Sequence, residues 1–173
     1  MNDTVMTVVA IGLAAILMFI FPLMSTADRT DDISQQAVQT ATTEFVDNVR
    51  STGKITSDKY DNFVKSIAET GNSFDVEIEA QILDENSSKK TSQTATSKVG
   101  ENKYYSEYTS QILDKVDKTG QYKLKEGDLI SVTVKNTNKT ISQILKNFFY
   151  QVTGNDTYNI AAQHAGIVNV EGN

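Results

Sequence analysis

The chain begins with an apolar run from Val5 to Met24, 20 residues that include no charged side chain. At a rise of about 1.5 Å per residue, a helix of this length spans roughly 30 Å, the thickness of the hydrocarbon core of a bilayer. Helices of soluble proteins are rarely apolar on every face. The pattern therefore predicts a membrane-anchor helix in residues 1–27 and a separate head in residues 28–173.

The residues that flank the run distinguish an anchor from a cleaved export signal. A signal peptide has basic residues in front of a shorter apolar stretch, of about 7–15 residues, and a cleavage site with small side chains. Residues 1–4 include no basic side chain, although Ser25-Thr26-Ala27 is small enough for a peptidase. We therefore expect a retained anchor, with a cleaved signal and a buried core helix as the alternatives.

Charge indicates the orientation of the anchor only weakly. The positive-inside rule counts lysine and arginine near the ends of a span, and Arg29 is the only basic residue there, among Asp28, Asp31 and Asp32. The chain also contains no cysteine, so no disulfide framework argues for one compartment. We expect a single-pass protein of the cell membrane with an extracytoplasmic head, at the cell surface or in a pilus.

The helical pattern continues beyond the anchor. Apolar residues recur every four positions, which is typical of one face of an amphipathic helix, at Ala37, Ala41, Phe45 and Val49. Gly53 supplies a C-cap. We therefore predict one long helix from about Thr4 to Arg50, with its first half in lipid and its second half packed on the head. Pro22, the only proline, is expected to kink this helix.

Helix and strand periods alternate through the head. From the spacing of apolar residues and the turn signals we predict a helix from about residue 57, a strand over 74–82, a helix from 104 to 119, a strand pair over 122–135, a helix from about 140 and a last strand over 158–170. Residues 84–102, rich in Ser, Thr and Lys, predict a mobile loop. The expected fold class is α+β, a long N-terminal transmembrane-plus-amphipathic helix packed on a small, mainly antiparallel sheet with two or three further helices.

Composition argues against several classes of function. Residues 28–173 carry 16 basic and 21 acidic side chains, because Asp3 is the only charged residue before Asp28. This balance lacks the basic patch that a nucleic-acid-binding protein requires. His164 is the only histidine and has no nucleophile motif near it, and no G-x-S-x-G, H-E-x-x-H or phosphate loop occurs. We expect neither an enzyme nor a cofactor.

Carboxylates are clustered at two places in the sequence, in the predicted strand over 74–82 and at the outer end of the anchor. Asp75, Glu77 and Glu79 alternate along the predicted strand and so share one face. Three carboxylates are suitable ligands for Ca²⁺, but no EF-hand pattern accompanies them, so we expect a solvated face and no metal. Asp28, Asp31 and Asp32 lie at the outer end of the anchor, where they either keep the helix exit soluble or contact basic residues of a partner subunit.

Small residues interrupt the bulky side chains of the anchor. The stretch VVAIGLAA, from Val8 to Ala15, contains Ala10, Gly12, Ala14 and Ala15. Small side chains let two helices approach closely in lipid. The stretch therefore predicts a helix-packing region, with ordinary anchor composition as the alternative.

These features together resemble type IV pilins and the TadE-like accessory proteins of tight-adherence (Tad/Flp) systems. The resemblance rests on the early acidic residue, on VVAIGLAAILMFIFP and on the amphipathic continuation into a small α+β head. The stretches ITSDKYDNFVKSIAETGNSFDVEIEAQILDE and SVTVKNTNKTISQILKNFFYQVTGNDTYNIAAQHAGIV are similar to uncharacterised proteins encoded with such machinery in Gram-positive bacteria. The resemblance implies a helix that packs against neighbouring subunits.

The resemblance also implies roles for individual residues. Pro22 would be the kink, and Asp3 would be the charge that sets one subunit in register with the next. The implied assembly residues are Asp3, Val8, Ala10, Gly12, Ala14, Ala15, Phe21 and Pro22. Pilins usually have a basic leader that ends in glycine and a glutamate inside the run, whereas here Met1 precedes the run and Asp3 lies outside it. We therefore expect an uncleaved, anchored accessory protein.

The expected function is that of a non-enzymatic, pilin-like structural or accessory subunit of a Tad-type pilus or a related secretion assembly. Its expected partners are the membrane, other subunits of the assembly and further copies of the chain, bound through the N-terminal helix. The alternative is a monomeric, membrane-tethered binding module, an adhesin or a sensor domain. In that case the loop 84–102 or Tyr104, Tyr105 and Tyr108 would face the ligand.

Overall fold

The structure, a computed structural model, describes residues 2–83, 104–150 and 160–172. It confirms the α+β class with a long N-terminal helix. The elements in chain order are α1 (Asn2–Thr52), β1 (Lys54–Thr56), α2 (Ser57–Ala68), β2 (Phe74–Leu83), β3 (Tyr104–Tyr108), α3 (Thr109–Thr119), β4 (Gln121–Lys123), β5 (Leu129–Asn136), α4 (Ile141–Tyr150) and β6 (Ala161–Ile167).

The helix α1 is one uninterrupted element of 51 residues, about 75 Å long at 1.5 Å per residue. It continues on both sides of Pro22, whose carbonyl accepts a hydrogen bond from the Thr26 hydroxyl at 2.9 Å. The helix ends as predicted at Gly53, which has a positive φ of 64° and donates its N–H to the Val49 carbonyl at 2.8 Å. The prediction of a single long helix is confirmed, and the kink at Pro22 stays a prediction.

The head contains two antiparallel sheets. The larger has the strand order β3-β2-β5-β6, and the smaller pairs β1 with β4. The predicted strand pair over 122–135 is therefore wrong in its pairing, since β4 and β5 lie in different sheets. The turn between them is closed by Asp128, whose carboxylate accepts hydrogen bonds from the N–H of Lys125 at 2.7 Å and of Leu83 at 2.9 Å.

The second half of α1 supplies the centre of the core. Val38, Val46 and Val49 are fully buried, and they join a cluster that includes the inward residues of β2 and β5. From α2, Phe63 stacks on Phe45 with ring centroids 4.6 Å apart. The buried stripe is shifted slightly from the expected one, because Ala37 is exposed and Thr42 is buried. Thr42 satisfies its hydroxyl by donating to the Val38 carbonyl at 2.7 Å.

Several local predictions in the head are confirmed. The helix α2 begins after Thr56, whose hydroxyl accepts the N–H of Lys59. The strand β2 covers the alternating stretch, α3 ends at Gly120 and α4 follows Thr140. The strand β6 is shorter than predicted, Ala161–Ile167. The predicted loop over 84–102 and the turn at 154–156 lie outside the described residues.

The stretch from Tyr104 to Tyr108 was predicted to begin a helix, and this prediction is wrong. It forms β3 and pairs with β2, with Tyr108 opposite Glu79 and Tyr104 opposite Leu83. The aromatic residues favour a strand, and the free edge of β2 provides the partner. The helix α3 begins only at Thr109, whose hydroxyl accepts the N–H of Ile78 at 2.7 Å.

The end of the described chain closes over the end of α1. Leu124 donates its N–H to the Gly53 carbonyl at 2.8 Å, and Gly172 donates to the Leu124 carbonyl at 2.9 Å. A Cβ atom added to Gly53 would lie 2.4 Å from the Val170 carbonyl oxygen. Only glycine therefore fits at this junction, for its positive φ and for its lack of a side chain.

This close approach predicts that Gly53→Ala destabilises the head strongly. Gly71→Ala is the matched control, because Gly71 also has a positive φ, 80°, but open space around its Cβ position. We expect Gly71→Ala to cost about 1–2 kcal/mol, the usual cost of a left-handed conformation, and Gly53→Ala to cost at least about 2 kcal/mol more through the backbone clash. Urea unfolding of the full chain in detergent micelles measures both; equal losses would contradict the packing at Gly53.

Candidate functional site

The most unusual surface of the molecule is the first half of α1. Every residue from Asp3 to Phe19 is exposed, and the large apolar side chains there are about half to three-quarters exposed. This helix is long and apolar enough to cross a membrane, and the apolar stretch that meets this criterion is not buried inside the protein. Contiguous apolar surfaces of this size mark contacts with lipid or with another protein.

The eight predicted assembly residues are all exposed on α1. At about 100° per residue, they divide between two sides of the helix that lie about 140° apart. One side, called the Asp3 side here, holds Asp3, Ala10, Ala14 and Phe21. The other, called the Gly12 side, holds Val8, Gly12, Ala15 and Pro22. The small residues of VVAIGLAA are therefore distributed over both sides of the helix, and their packing against another helix stays a prediction.

The head occupies a third side of α1. The first buried residue of α1 is Ala27, and Asp31 and Ser34 follow on the same side, Asp31 half-buried and Ser34 buried. By helical periodicity this side lies roughly a third of a turn from both the Asp3 side and the Gly12 side. Asp28 lies 18 residues, or five full turns, beyond Ala10, so the head reaches the Asp3 side at the end of the apolar run. The residues of both sides up to Pro22 are nevertheless exposed and open to neighbours.

The space around Gly12 is open. A Cβ atom added at this position would meet no atom within 4 Å. Among the residues that the structure describes, no atom of the chain requires a glycine at this position.

Polar contacts fasten the head to α1 just beyond the apolar run. Lys146 of α4 lies with its Nζ 2.6 Å from the Asp28 carboxylate, and the Ser142 hydroxyl donates a short hydrogen bond to the same carboxylate. Thr140 donates its hydroxyl to Asp31 at 2.6 Å. These three bonds between α1 and α4 are called the α4 clamp below.

The α4 clamp changes the interpretation of Asp28 and Asp31, which the sequence placed in contact with solvent or a partner subunit. Asp28 and Asp31 bind α4 of the same chain, whereas the sequence suggested solvent or a partner subunit as their contact. Asp32 is exposed and makes no hydrogen bond or ion pair within the described residues. Hydrogen bonds from Lys146 and Ser142 lower the pKa of the Asp28 carboxyl against the opposing effect of its partial desolvation.

The other candidate groups do not form a reactive site. His164 lies in β6, where its Nε2 is 3.6 Å from the Asp47 carboxylate, beyond hydrogen-bonding distance. The carboxylates of β2 point away from the core, and Glu79 accepts a hydrogen bond from the Ser106 hydroxyl at 2.7 Å. Among the residues that the structure describes, no group of three His, Cys, Asp or Glu side chains is placed to hold a metal ion.

A groove of about 500 Å³ lies between β3, α3 and β4. Tyr105 lines it, and Tyr104 and Tyr108 are exposed on the same strand. In the wall of the groove, the Tyr122 hydroxyl donates a hydrogen bond to the Glu107 carboxylate at 2.8 Å. The pKa of the Tyr122 phenol is raised, mainly by burial and to a lesser extent by this hydrogen bond. Glu107 also pairs with Lys115 at 2.6 Å. The Glu107 carboxylate beside the groove is thus paired with Lys115 and Tyr122, and Tyr105 is the exposed aromatic side chain that lines the groove.

Comparison of the chain with protein-family models, with curated proteins and with solved structures found no match. The function is therefore inferred from the residues and their geometry. The two features that carry this inference are the exposed apolar half of α1 and the α4 clamp at its base.

The lowered pKa of Asp28 predicts a pH-dependent contribution of the clamp to stability. A carboxyl group whose pKa is lower in the folded state stabilises the protein above its unfolded-state pKa, near the ordinary aspartate value of 3.8. It loses this effect as the pH falls through the folded-state pKa. We expect Asp28→Asn to lower the free energy of unfolding at pH 7 by about 0.5–1 kcal/mol, since the pair is partly exposed. The difference from wild type should shrink as the pH falls below about 4.

Urea unfolding of both proteins across this pH range, in the same detergent, measures the effect. Asp32→Asn is the matched control, because it removes a neighbouring carboxylate that has no described partner, and it should have little effect at any pH. A difference between wild type and Asp28→Asn that stays constant from pH 7 to pH 3 would contradict the assignment.

Proposed function

We propose that the protein is a membrane-anchored, pilin-like structural or accessory subunit that assembles with neighbouring subunits through the apolar half of α1. The observation that carries the proposal is that one continuous helix presents an exposed apolar segment and also forms the core of the head. A neighbour that binds the segment is thereby coupled directly to the position of the head. A Tad-type pilus or a related secretion assembly is the proposed setting, by the resemblance of the sequence.

Lipid and a helix bundle are both suitable surroundings for this segment. In either, the α-helix satisfies its own backbone hydrogen bonds, so transfer between them leaves no unpaired N–H or C=O group. Association in lipid depends on close packing, because lipid tails are as apolar as the side chains. The small residues at Ala10, Gly12 and Ala14 allow this approach, and the open space at Gly12 is available for a neighbour.

The arrangement of the two sides favours an extended assembly. The Asp3 side and the Gly12 side lie about 140° apart by helical periodicity, so one helix is able to hold a neighbour on each. Contacts between two different surfaces are heterologous, and they produce rings or open filaments, whereas a self-complementary surface produces a closed dimer. A subunit that polymerises laterally requires the first arrangement.

A second candidate function is that of a membrane-tethered binding module. The observation that favours it is the groove beside β3, which Tyr105 lines, together with Tyr104 and Tyr108, which are exposed on the other face of the same strand. Aromatic side chains supply large contact areas in binding sites. This function needs no contact between α1 helices, so the experiments on α1 distinguish the two candidates.

The proposal predicts that single cysteines in the apolar segment form disulfide-linked dimers in membranes. The chain contains no native cysteine, so each variant carries a single thiol. We expect a mixture of Ala14→Cys with Gly12→Cys chains to crosslink best on mild oxidation, because these positions lie on the two different sides that meet in a heterologous contact. Ala10→Cys and Ala14→Cys alone should crosslink more weakly than the mixture, though still above the level of random collision. Gel electrophoresis of differently tagged chains quantifies each product.

The control for random collision is Lys118→Cys, an exposed position at the end of α3 in the head. Crosslinking of the α1 variants at the yield of this control would overturn the assembly proposal and favour the binding module. Strong crosslinking of each variant with itself, without excess in the mixture, would retain the helix contact but replace the extended assembly with a closed dimer.

A second prediction concerns Asp3, the proposed registering charge. Asp3→Asn should reduce the crosslinking yield of Ala14→Cys by roughly fivefold, if the lost charge contact is worth about 1 kcal/mol. Insertion into the membrane should not change, because Asp3 lies outside the apolar run. Alkali extraction of membranes and the crosslinking yield measure the two properties; an unchanged yield would remove this role from Asp3.

A further inference from the structure

The helix α4 carries apolar side chains that the described part of the head does not cover. Ile141 and Ile144 are 65% and 55% exposed, and Leu145 is half-buried. The polar residues Ser142 and Lys146, one turn apart, bond to α1 instead. In an ordinary surface helix the apolar side faces the core and the polar side faces water. In α4 the polar residues hold the helix to its neighbour, and two isoleucines face away from the protein.

The α4 clamp fixes the position of this helix along α1. Asp28, which binds Ser142 and Lys146, lies four residues beyond Met24, the last residue of the apolar run. At about 1.5 Å per residue this separation is about 6 Å. Asp31, which binds Thr140, is about one turn farther out. The helix α4 therefore lies at the boundary between the apolar run and the head, and it begins on the side of the head.

The exposure of α1 supports the same placement. Of the apolar run, Ile20 and Met24 are half-buried, while all other residues from Val5 to Leu23 are exposed. Ile20 and Met24 precede Asp28 by eight and four residues, so they share its side of the helix. The head thus extends beside the last two turns of the apolar run, on the side where α4 is attached.

We propose that α4 is an interfacial helix whose apolar side inserts into the outer surface of the bilayer that α1 spans. The proposed occupant is a phospholipid bilayer, because the clamp holds the exposed isoleucines near Asp28 and Asp31, within about two turns of the outer end of the apolar run. Amphipathic helices in this position bury their apolar side about 5–10 Å into the boundary between headgroups and acyl chains. The inference rests on the proposed membrane span of α1.

This second attachment has a consequence for the head. A single transmembrane helix leaves a head free to tilt and to rotate about the helix axis, because tilt and rotation depend on packing and interfacial anchors. With α4 held to α1 at Asp28 and Asp31 and inserted at Ile141 and Ile144, the head has one orientation relative to the bilayer. The sides of α1 that are open to neighbours then face defined directions in the membrane plane.

The sequence offers a direct test, because the chain contains no tryptophan. Single tryptophans placed at Ile144, Phe19 and Lys118 report on α4, on the apolar run and on the far part of the head. The full-length variants are reconstituted into vesicles of zwitterionic and anionic phospholipids, with and without lipids brominated near the headgroup end of their acyl chains. Bromine quenches tryptophan emission only at close range.

We expect Ile144→Trp to lose emission roughly twofold in the brominated vesicles, as for a side chain about 5–10 Å into the boundary region. Phe19→Trp should be quenched as a residue of the span, and Lys118→Trp should be unaffected. Ile141→Trp serves as a second variant on the same side of α4. Both isoleucines are exposed, so the larger side chain fits, and circular dichroism checks that the fold is retained.

The outcomes separate this inference from the proposed function. Quenching of Phe19→Trp without quenching of either α4 variant would overturn the interfacial helix and retain the span. An absence of quenching at all positions would overturn both. A blue-shifted emission of Ile144→Trp that brominated lipid does not quench would show that another protein surface covers α4, which would also overturn the inference.

Discussion

The structure depends on the burial of one stripe of α1 against the four-stranded sheet. Val38, Val46 and Val49 are fully buried in this stripe, and each valine contributes about 1.5–3 kcal/mol by burial, as an upper estimate. In the part of the chain that the structure describes, α1 is the helix that packs against β5 and β6. The same helix that carries the apolar run is thus the central element of the head.

Polar contacts then determine how the remaining elements are arranged on this core. Arg50, near the end of α1, donates to the Ile167 carbonyl at 2.9 Å and approaches β6 so closely that a side chain at Gly166 would overlap with it. Asp128 closes the turn that sends β4 and β5 into different sheets. At the other end, Asp28 and Asp31 attach α4. Each of these hydrogen bonds or ion pairs is directional, so it fixes the position of one element relative to its neighbour where apolar packing alone would allow several positions.

These constraints give the proposed function a physical basis. The apolar half of α1 presents two open sides, and the head covers a third, so neighbouring helices are able to pack without displacing it. The clamp keeps α4 at the boundary of the span, where its exposed isoleucines meet the membrane surface in the proposed arrangement. Helix packing and head orientation would then be set by the same 51-residue element.

The sequence by itself determined the elements whose signals are local. The long helix, its end at Gly53, the alternating strand β2 and the caps of α2 and α4 follow from periodicity and from the chemistry of a few neighbouring residues. Which strands pair with each other, and which side chains bond across the fold, depends on the tertiary structure. Residues Tyr104–Tyr108 form a strand because they pair with the edge of β2. Asp28 accepts a hydrogen bond from Ser142, which is 114 positions away in the chain. A local pattern reports which side of an element is apolar or charged, but the partner of that side is set by distant residues that only the fold brings near.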